Sequence, residues 1–190
     1  MMLATRTTIM KTMLSSDLDK KVQGIAQKGD VLFGCDALVL ARLSYGYWLT
    51  GCPEDWKVHN HSCYYWTGEI SSNLKDAQDK CKKMSATLPI IKSDSANNFI
   101  LSVGEEWVWL CMTRKNGRMV WFDNTPAEPS EGALYNAWNS GEPNNNQGIE
   151  GCAVLDFHKK KWNDVNCNLG GNGPPYVLCQ KIRYFKNDLW

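Results

Sequence analysis

The stretch GEPNNNQGIEGCAVLDFHKKKWNDVNC, residues 141–167, carries a set of oxygen donors that an apolar core could not use. Glu142, Asn144, Glu150, Asn163 and Asp164 supply three carboxylates and two amides, set in a Gly/Asn/Pro-rich loop and on the strand after it. Calcium takes roughly six to eight oxygen ligands in irregular geometry, so a loop plus one strand suits it better than magnesium. These five residues furnish about five or six donors, which leaves coordination positions for water or for a ligand's hydroxyls. Glu142-Pro143-Asn144 alone is ordinary turn chemistry, and Asn163-Asp164 alone an ordinary strand end. Their joint occurrence on either side of Cys152 is what points to a metal.

Outward from this stretch the pattern is mixed. Residues 153–157 read as a strand, 159–161 as an exposed turn and 162–165 as the returning strand that carries Asn163 and Asp164. Upstream, residues 123–151 show little apolar periodicity and recurrent Gly, Pro, Asn and Ser; a loop of this length is usually functional or disordered, and Trp138 is expected to anchor its base by packing. Residues 107–112 form a continuous apolar run between Glu106 and Thr113, as in a strand buried on both faces. Residues 119–122 pair with it across a turn containing Asn116-Gly117. Ser72 is placed to cap a helix with Leu74, Ala77, Cys81 and Met84 on one face, and Ser93 a second helix with Ala96, Phe99, Ile100 and Val103, stopped at Gly104. Pro174-Pro175 leads into a final strand at 176–179. His59-Asn60-His61 has no further metal ligands at recognisable spacing, so these are expected to be solvated turn residues rather than a zinc site.

In order along the chain, Gly51-Cys52-Pro53, Trp56, Cys63-Tyr64, Ala77, Cys81, Trp109-Leu110, Glu142-Pro143-Asn144, Glu150-Gly151-Cys152, Trp162-Asn163-Asp164, Cys167 and Cys179 resemble a C-type lectin-like domain of the long form. The resemblance covers residues 52 to about 182. It implies an α+β fold with two helices flanking small antiparallel sheets and a long calcium-binding loop, and the disulfides Cys52–Cys63, Cys81–Cys179 and Cys152–Cys167. It implies that Glu142, Asn144, Glu150, Asn163 and Asp164 hold calcium and bind sugar directly, with a cis bond before Pro143 turning its neighbours towards the ion. Glu-Pro-Asn resembles the type that prefers mannose, N-acetylglucosamine, glucose and fucose; Gln-Pro-Asp resembles the galactose type. Many members hold a second calcium on acidic residues at places taken here by Arg114, Asn145 and Gly151, so a single calcium is expected, with weaker ordering of the long loop. Its affinity should lie near 0.1 to 1 mM, roughly that of extracellular modules, with protons competing below about pH 5. Cys111 stands where the family commonly has Gly, and is expected to be a free buried thiol or to mark a local adjustment in strand packing. The segment from Cys167 to Cys179 is longer than usual and is expected to be flexible.

Composition bounds what remains. A net charge of +1 with no basic cluster beyond Lys159-Lys160-Lys161 gives no support to a nucleic-acid partner. Eight cysteines in 190 residues argue for an oxidising, secreted or extracellular setting. Residues 1–51 are an extension ahead of a domain at 52–183, with a short tail at 184–190. Arg6, Thr7, Thr8 and Lys11 interrupt any secretory signal, and residues 31–41, broken by Asp36, are too short to span a membrane. The extension is read as a degenerate anchor or internal signal, or, preferentially, as the product of a wrong start site. Residues 17–30 read as linker or weak helix, and Cys35 is a candidate for an interchain bridge. No nucleophile, base and orienting group share a motif, so an enzyme is not expected. The leading function is calcium-dependent binding of glycans or glycoproteins on cell surfaces. The alternative is an interaction domain of the same fold with a protein or other non-sugar ligand.

Overall fold

The structure is a computed structural model that describes residues 51–170 and 173–182. β1 (Lys57–His59) and β2 (Ser62–Ile70) form a hairpin turned at Asn60, a residue type that tolerates its φ of 49°. α1 (Leu74–Lys83) begins one residue later than the sequence suggested: Asn73, not Ser72, is the cap. Asn73 Oδ1 accepts the Asp76 N–H at 2.8 Å. The Ser72 carbonyl accepts the Leu169 N–H at 2.8 Å instead, which holds Ser72 outside the helix. α2 (Asp94–Val103) starts as expected, with Ser93 Oγ accepting the Ala96 N–H at 3.2 Å. It ends at Gly104, where a Cβ would lie 2.5 Å from the Trp66 ring and 2.7 Å from the Phe157 ring, so close approach is what requires glycine there.

β3 (Val108–Lys115), β4 (Arg118–Trp121), β5 (Cys152–Asp156), β6 (Lys161–Val165) and β7 (Tyr176–Ile182) complete a seven-stranded sheet. The order is β1-β2-β7-β3-β5-β6, with β4 paired to β3 off this path. The small antiparallel sheets expected are therefore joined into one mixed sheet. The join is a single parallel pairing, Val108 with Tyr176, secured by the Tyr176 N–H donating to the Trp107 carbonyl at 2.7 Å. The remaining pairings are antiparallel, and β2 with β7 brings Ser62 opposite Ile182.

β3 is the strand buried on both faces. Val108, Leu110 and Met112 pack with Ile91, Ile100, Trp121, Trp138 and Trp162, while Trp109 and Cys111 pack with Leu74, Ala77, Leu88, Val154 and Val177. α2 closes the first cluster and α1 the second, which is why a run of uninterrupted apolar residues was needed.

The disulfides Cys52–Cys63, Cys81–Cys179 and Cys152–Cys167 are all present. Cys81–Cys179 spans 98 residues and on the chain-entropy account contributes about 4 to 5 kcal/mol. The free thiol expected at Cys111 is corrected: this fully buried cysteine is disulfide-bonded, covalently joined instead of packed as a small hydrophobe. Cys35 with its expected interchain bridge lies outside the described residues, as do the readings of residues 1–50 and 183–190 and part of the expected flexible loop, at 171–172.

The long loop is not featureless. It holds short 3-10 turns at Pro129–Glu131 and Asn146–Gly148, and Trp138 Nε1 donates to the Ala127 carbonyl at 2.8 Å. Trp138 packs edge-on against Trp162 with ring centroids 5.7 Å apart, so it anchors the loop by packing, as the sequence suggested.

Candidate metal centre

β6 positions two of the five residues. Trp162 is fully buried against Trp121, Trp138 and Tyr135, and that anchor presents the next two residues, Asn163 and Asp164, in fixed register opposite Val154 and Ala153. The loop is tied to the same strand: the Trp162 N–H donates to the Ala137 carbonyl at 2.8 Å, and the Asn139 N–H to the Trp162 carbonyl at 2.9 Å. The Glu142 N–H then donates to the Asn139 carbonyl at 3.0 Å, closing a turn in which Gly141 takes a φ of 83°. The Glu142-Pro143 bond is cis.

The carboxylates of Glu142, Glu150 and Asp164 converge, with oxygens within 4.8 Å of one another. Loop amides hold them. The Asn144 N–H donates to Glu142 Oε2 and to Asp164 Oδ1, each at 3.1 Å, and Asn144 Nδ2 donates to Glu142 Oε1 at 2.9 Å. The Asn145 N–H donates to Asp164 Oδ2 at 2.8 Å, and the Asn146 N–H to Glu150 Oε2 at 2.7 Å. Asn163 Oδ1 accepts from Asn139 Nδ2 at 3.3 Å, and this bond turns it towards the loop base. The histidines stand elsewhere. His59 stacks on Phe99 at 4.5 Å and lies 3.1 Å from Ser95 Oγ, so it is a packing residue and not merely a solvated turn residue.

A family model described as "Lectin C-type domain" matches residues 70–181. The chain belongs to the C-type lectin domain family. A C-type lectin domain is a carbohydrate-binding module and not an enzyme. The chain is 33% identical over 134 residues to mouse CD209 antigen-like protein C, across 68% of this chain and 69% of that protein. It is also 33% identical over 143 residues to C-type lectin domain family 4 member M of Symphalangus syndactylus, across 72% of this chain but 31% of that protein. Among solved structures, the mouse scavenger receptor C-type lectin carbohydrate-recognition domain aligns with a TM-score of 0.58 at 30% identity, over 70% of this chain and 100% of that one. The cow CD23 carbohydrate-recognition domain, solved in the presence of a GlcNAc2Man3 oligosaccharide, aligns with a TM-score of 0.59 at 25% identity, over 71% and 98%.

In this lectin domain the donor set suits a hard divalent cation. The converging groups are carboxylates with no thiolate or imidazole among them, a donor type that favours calcium over zinc or copper. The electrostatics agree. Burial pushes the Glu142 carboxyl up to about 7, the neighbouring Asp164 and Glu150 carboxylates push the same way, and the Asn144 N–H opposes them. A carboxyl with that value gives up its proton readily once a cation arrives.

Three contributors were missed as such in the sequence. The Asn145 and Asn146 amides bond the carboxylates, and Arg114 Nη2 lies 2.5 Å from Asp164 Oδ2. A signal for the first two was present: consecutive asparagines after Pro143 readily adopt the left-handed conformation Asn145 shows at φ 49°.

Proposed function

We propose that this lectin domain binds glycans through one calcium ion held by Glu142, Asn144, Glu150, Asn163 and Asp164, with a preference for mannose, N-acetylglucosamine and fucose. The observation that carries the reading is the convergence of three carboxylates from the loop and β6 within 4.8 Å. Calcium supplies the charge that draws in two adjacent sugar hydroxyls. The chain supplies their orientation: each hydroxyl can donate to a carboxylate and accept from an Asn amide on the same site. Glu142 as acceptor and Asn144 as donor lie within hydrogen-bond reach, 2.9 Å apart, and would exchange that bond for bonds to the hydroxyls. With three carboxylates near one divalent ion, an affinity of about 0.1 to 1 mM follows the extracellular pattern.

The disulfides favour a secreted or extracellular location with cell-surface glycans as partners. Among the described residues, no helix is long and apolar enough to cross a membrane. Calorimetry with calcium, then retention on mannose-agarose with elution by chelator, tests the proposal. Retention that survives chelation would favour a protein or other non-sugar ligand instead.

A further inference from the structure

Arg114 lies near the end of β3, remote in sequence from the loop, yet its guanidinium ties the site together. Nη2 donates to Asp164 Oδ2 at 2.5 Å, Nε to the Glu150 carbonyl at 2.9 Å and Nη1 to the Gly117 carbonyl at 3.1 Å. The Arg114 N–H also donates to the Gly151 carbonyl at 2.9 Å. The side chain is 13% exposed and that of Asp164 is 0% exposed, so this ion pair is largely shielded from solvent. Asp164 in turn accepts the Asn144 N–H on Oδ1 and the Asn145 N–H on Oδ2. An unbroken line of hydrogen bonds thus runs from the rigid β3 through Asp164 into residues 144–145, and a second through Glu150 to the loop's far end. Only a planar, permanently charged fork reaches all these acceptors at once; a lysine ammonium is a single point charge.

We propose that Arg114 is a positioning residue for the calcium site, an internal cation that keeps Asp164 and residues 144–150 in their ion-ready arrangement when no ion is bound. The inference rests on the reading above that the site takes calcium. It deepens that reading by making the order of the loop independent of the ion. Against three carboxylates the guanidinium leaves a formal charge of −2, matched to one divalent ion. Its positive charge opposes the incoming ion, and the pre-ordered loop offsets that opposition because less conformational freedom is lost on binding.

Amide hydrogen exchange, read residue by residue by NMR on the full chain in chelator and in saturating calcium, tests this directly. The Asn144 and Asn145 amides are the probes, since both donate to Asp164; Leu110 and Val154 in the sheet are the controls. In the native protein the two probe amides should stay protected in chelator, within about tenfold of their calcium-loaded rates. In Arg114→Gln they should exchange at least about tenfold faster in chelator and recover with calcium, while Leu110 and Val154 stay unchanged. Arg114→Lys should recover part of the protection. Probe amides unprotected in native chelated protein, equal rates in Arg114→Gln, or a proportional loss at Leu110 and Val154 would each overturn the proposal. Should Arg114→Gln not fold, Arg114→Lys decides it: rates equal to native would overturn the need for a fork, and faster rates at the probes alone would support it. None of these readings involves sugar, so failure on mannose-agarose would remove the glycan proposal and leave the role of Arg114 standing.

Discussion

The interior around β3 and the loop at 139–151 are held by different forces. Around β3, Trp109, Trp121 and Trp162 are buried almost completely, and what stabilises them is removal of apolar surface from water, which neither protons nor ions alter much. In the loop the contacts that fix the chain run from backbone N–H groups to carboxylates, as from Asn145 to Asp164 and from Asn146 to Glu150. The acceptors there are the same oxygens a cation would use. The framework thus rests on contacts that ions and protons scarcely touch, while the loop is fixed through carboxylates that a proton or a cation could engage. Trp162 and Asp164, two residues apart on β6, mark where one regime passes into the other.

The largest expected effect comes from breaking both regions at once. Trp162→Ala should lower stability by about 3 to 5 kcal/mol in urea unfolding, since it empties a cavity beside Trp121 and Trp138, and should abolish retention on mannose-agarose. Asp164→Asn separates them. It should weaken calcium binding by more than about a hundredfold by calorimetry, beyond what an outer-sphere change produces, yet preserve the near-UV spectrum of the tryptophan interior. Exchanging the acceptor and donor at the rim is milder: Glu142→Gln with Asn144→Asp should move preference on a glycan array from mannose to galactose while calcium is still bound. An unchanged preference would refute the proposed hydroxyl orientation.

The smallest effect is a dependence on pH. Glu142 has its carboxyl raised to about 7 in the folded, ion-free protein, so the fold binds an extra proton between the ordinary carboxylate range and pH 7. Stability in chelator should therefore be fullest below the unfolded carboxyl value and fall slightly as pH rises through about 7. Calcium affinity should move the opposite way, rising over that range with release of a proton on binding. Thermal unfolding in chelator and calorimetry in two buffers of different ionisation enthalpy would show both; a flat profile in each would contradict the raised carboxyl.

Much of this was legible before any coordinates. The apolar run that became β3 read as a strand covered on both sides. Ser93 marked the start of α2, and the residues of Glu142-Pro143-Asn144 and Asn163-Asp164 announced an oxygen-rich site. What was not legible depended on distant partners. Ser72 and Asn73 are both good caps, and only the bond from Leu169 to the Ser72 carbonyl decides between them. The single mixed sheet depends on Val108 meeting Tyr176, a pairing that no local pattern encodes. Arg114 looked like the mere loss of an acid, because its three acceptors come from three separate segments.

The pairing of β2 with β7 sets Ser62 beside Ile182, with β3 and β5 between those strands and β6. Cys52, bridged to Cys63, and Cys63, opposite Lys181, therefore lie on the far side of β3 and β5 from Asn163 and Asp164. If the pocket takes sugar as proposed, several such domains held side by side would turn weak individual attachments into firm adhesion.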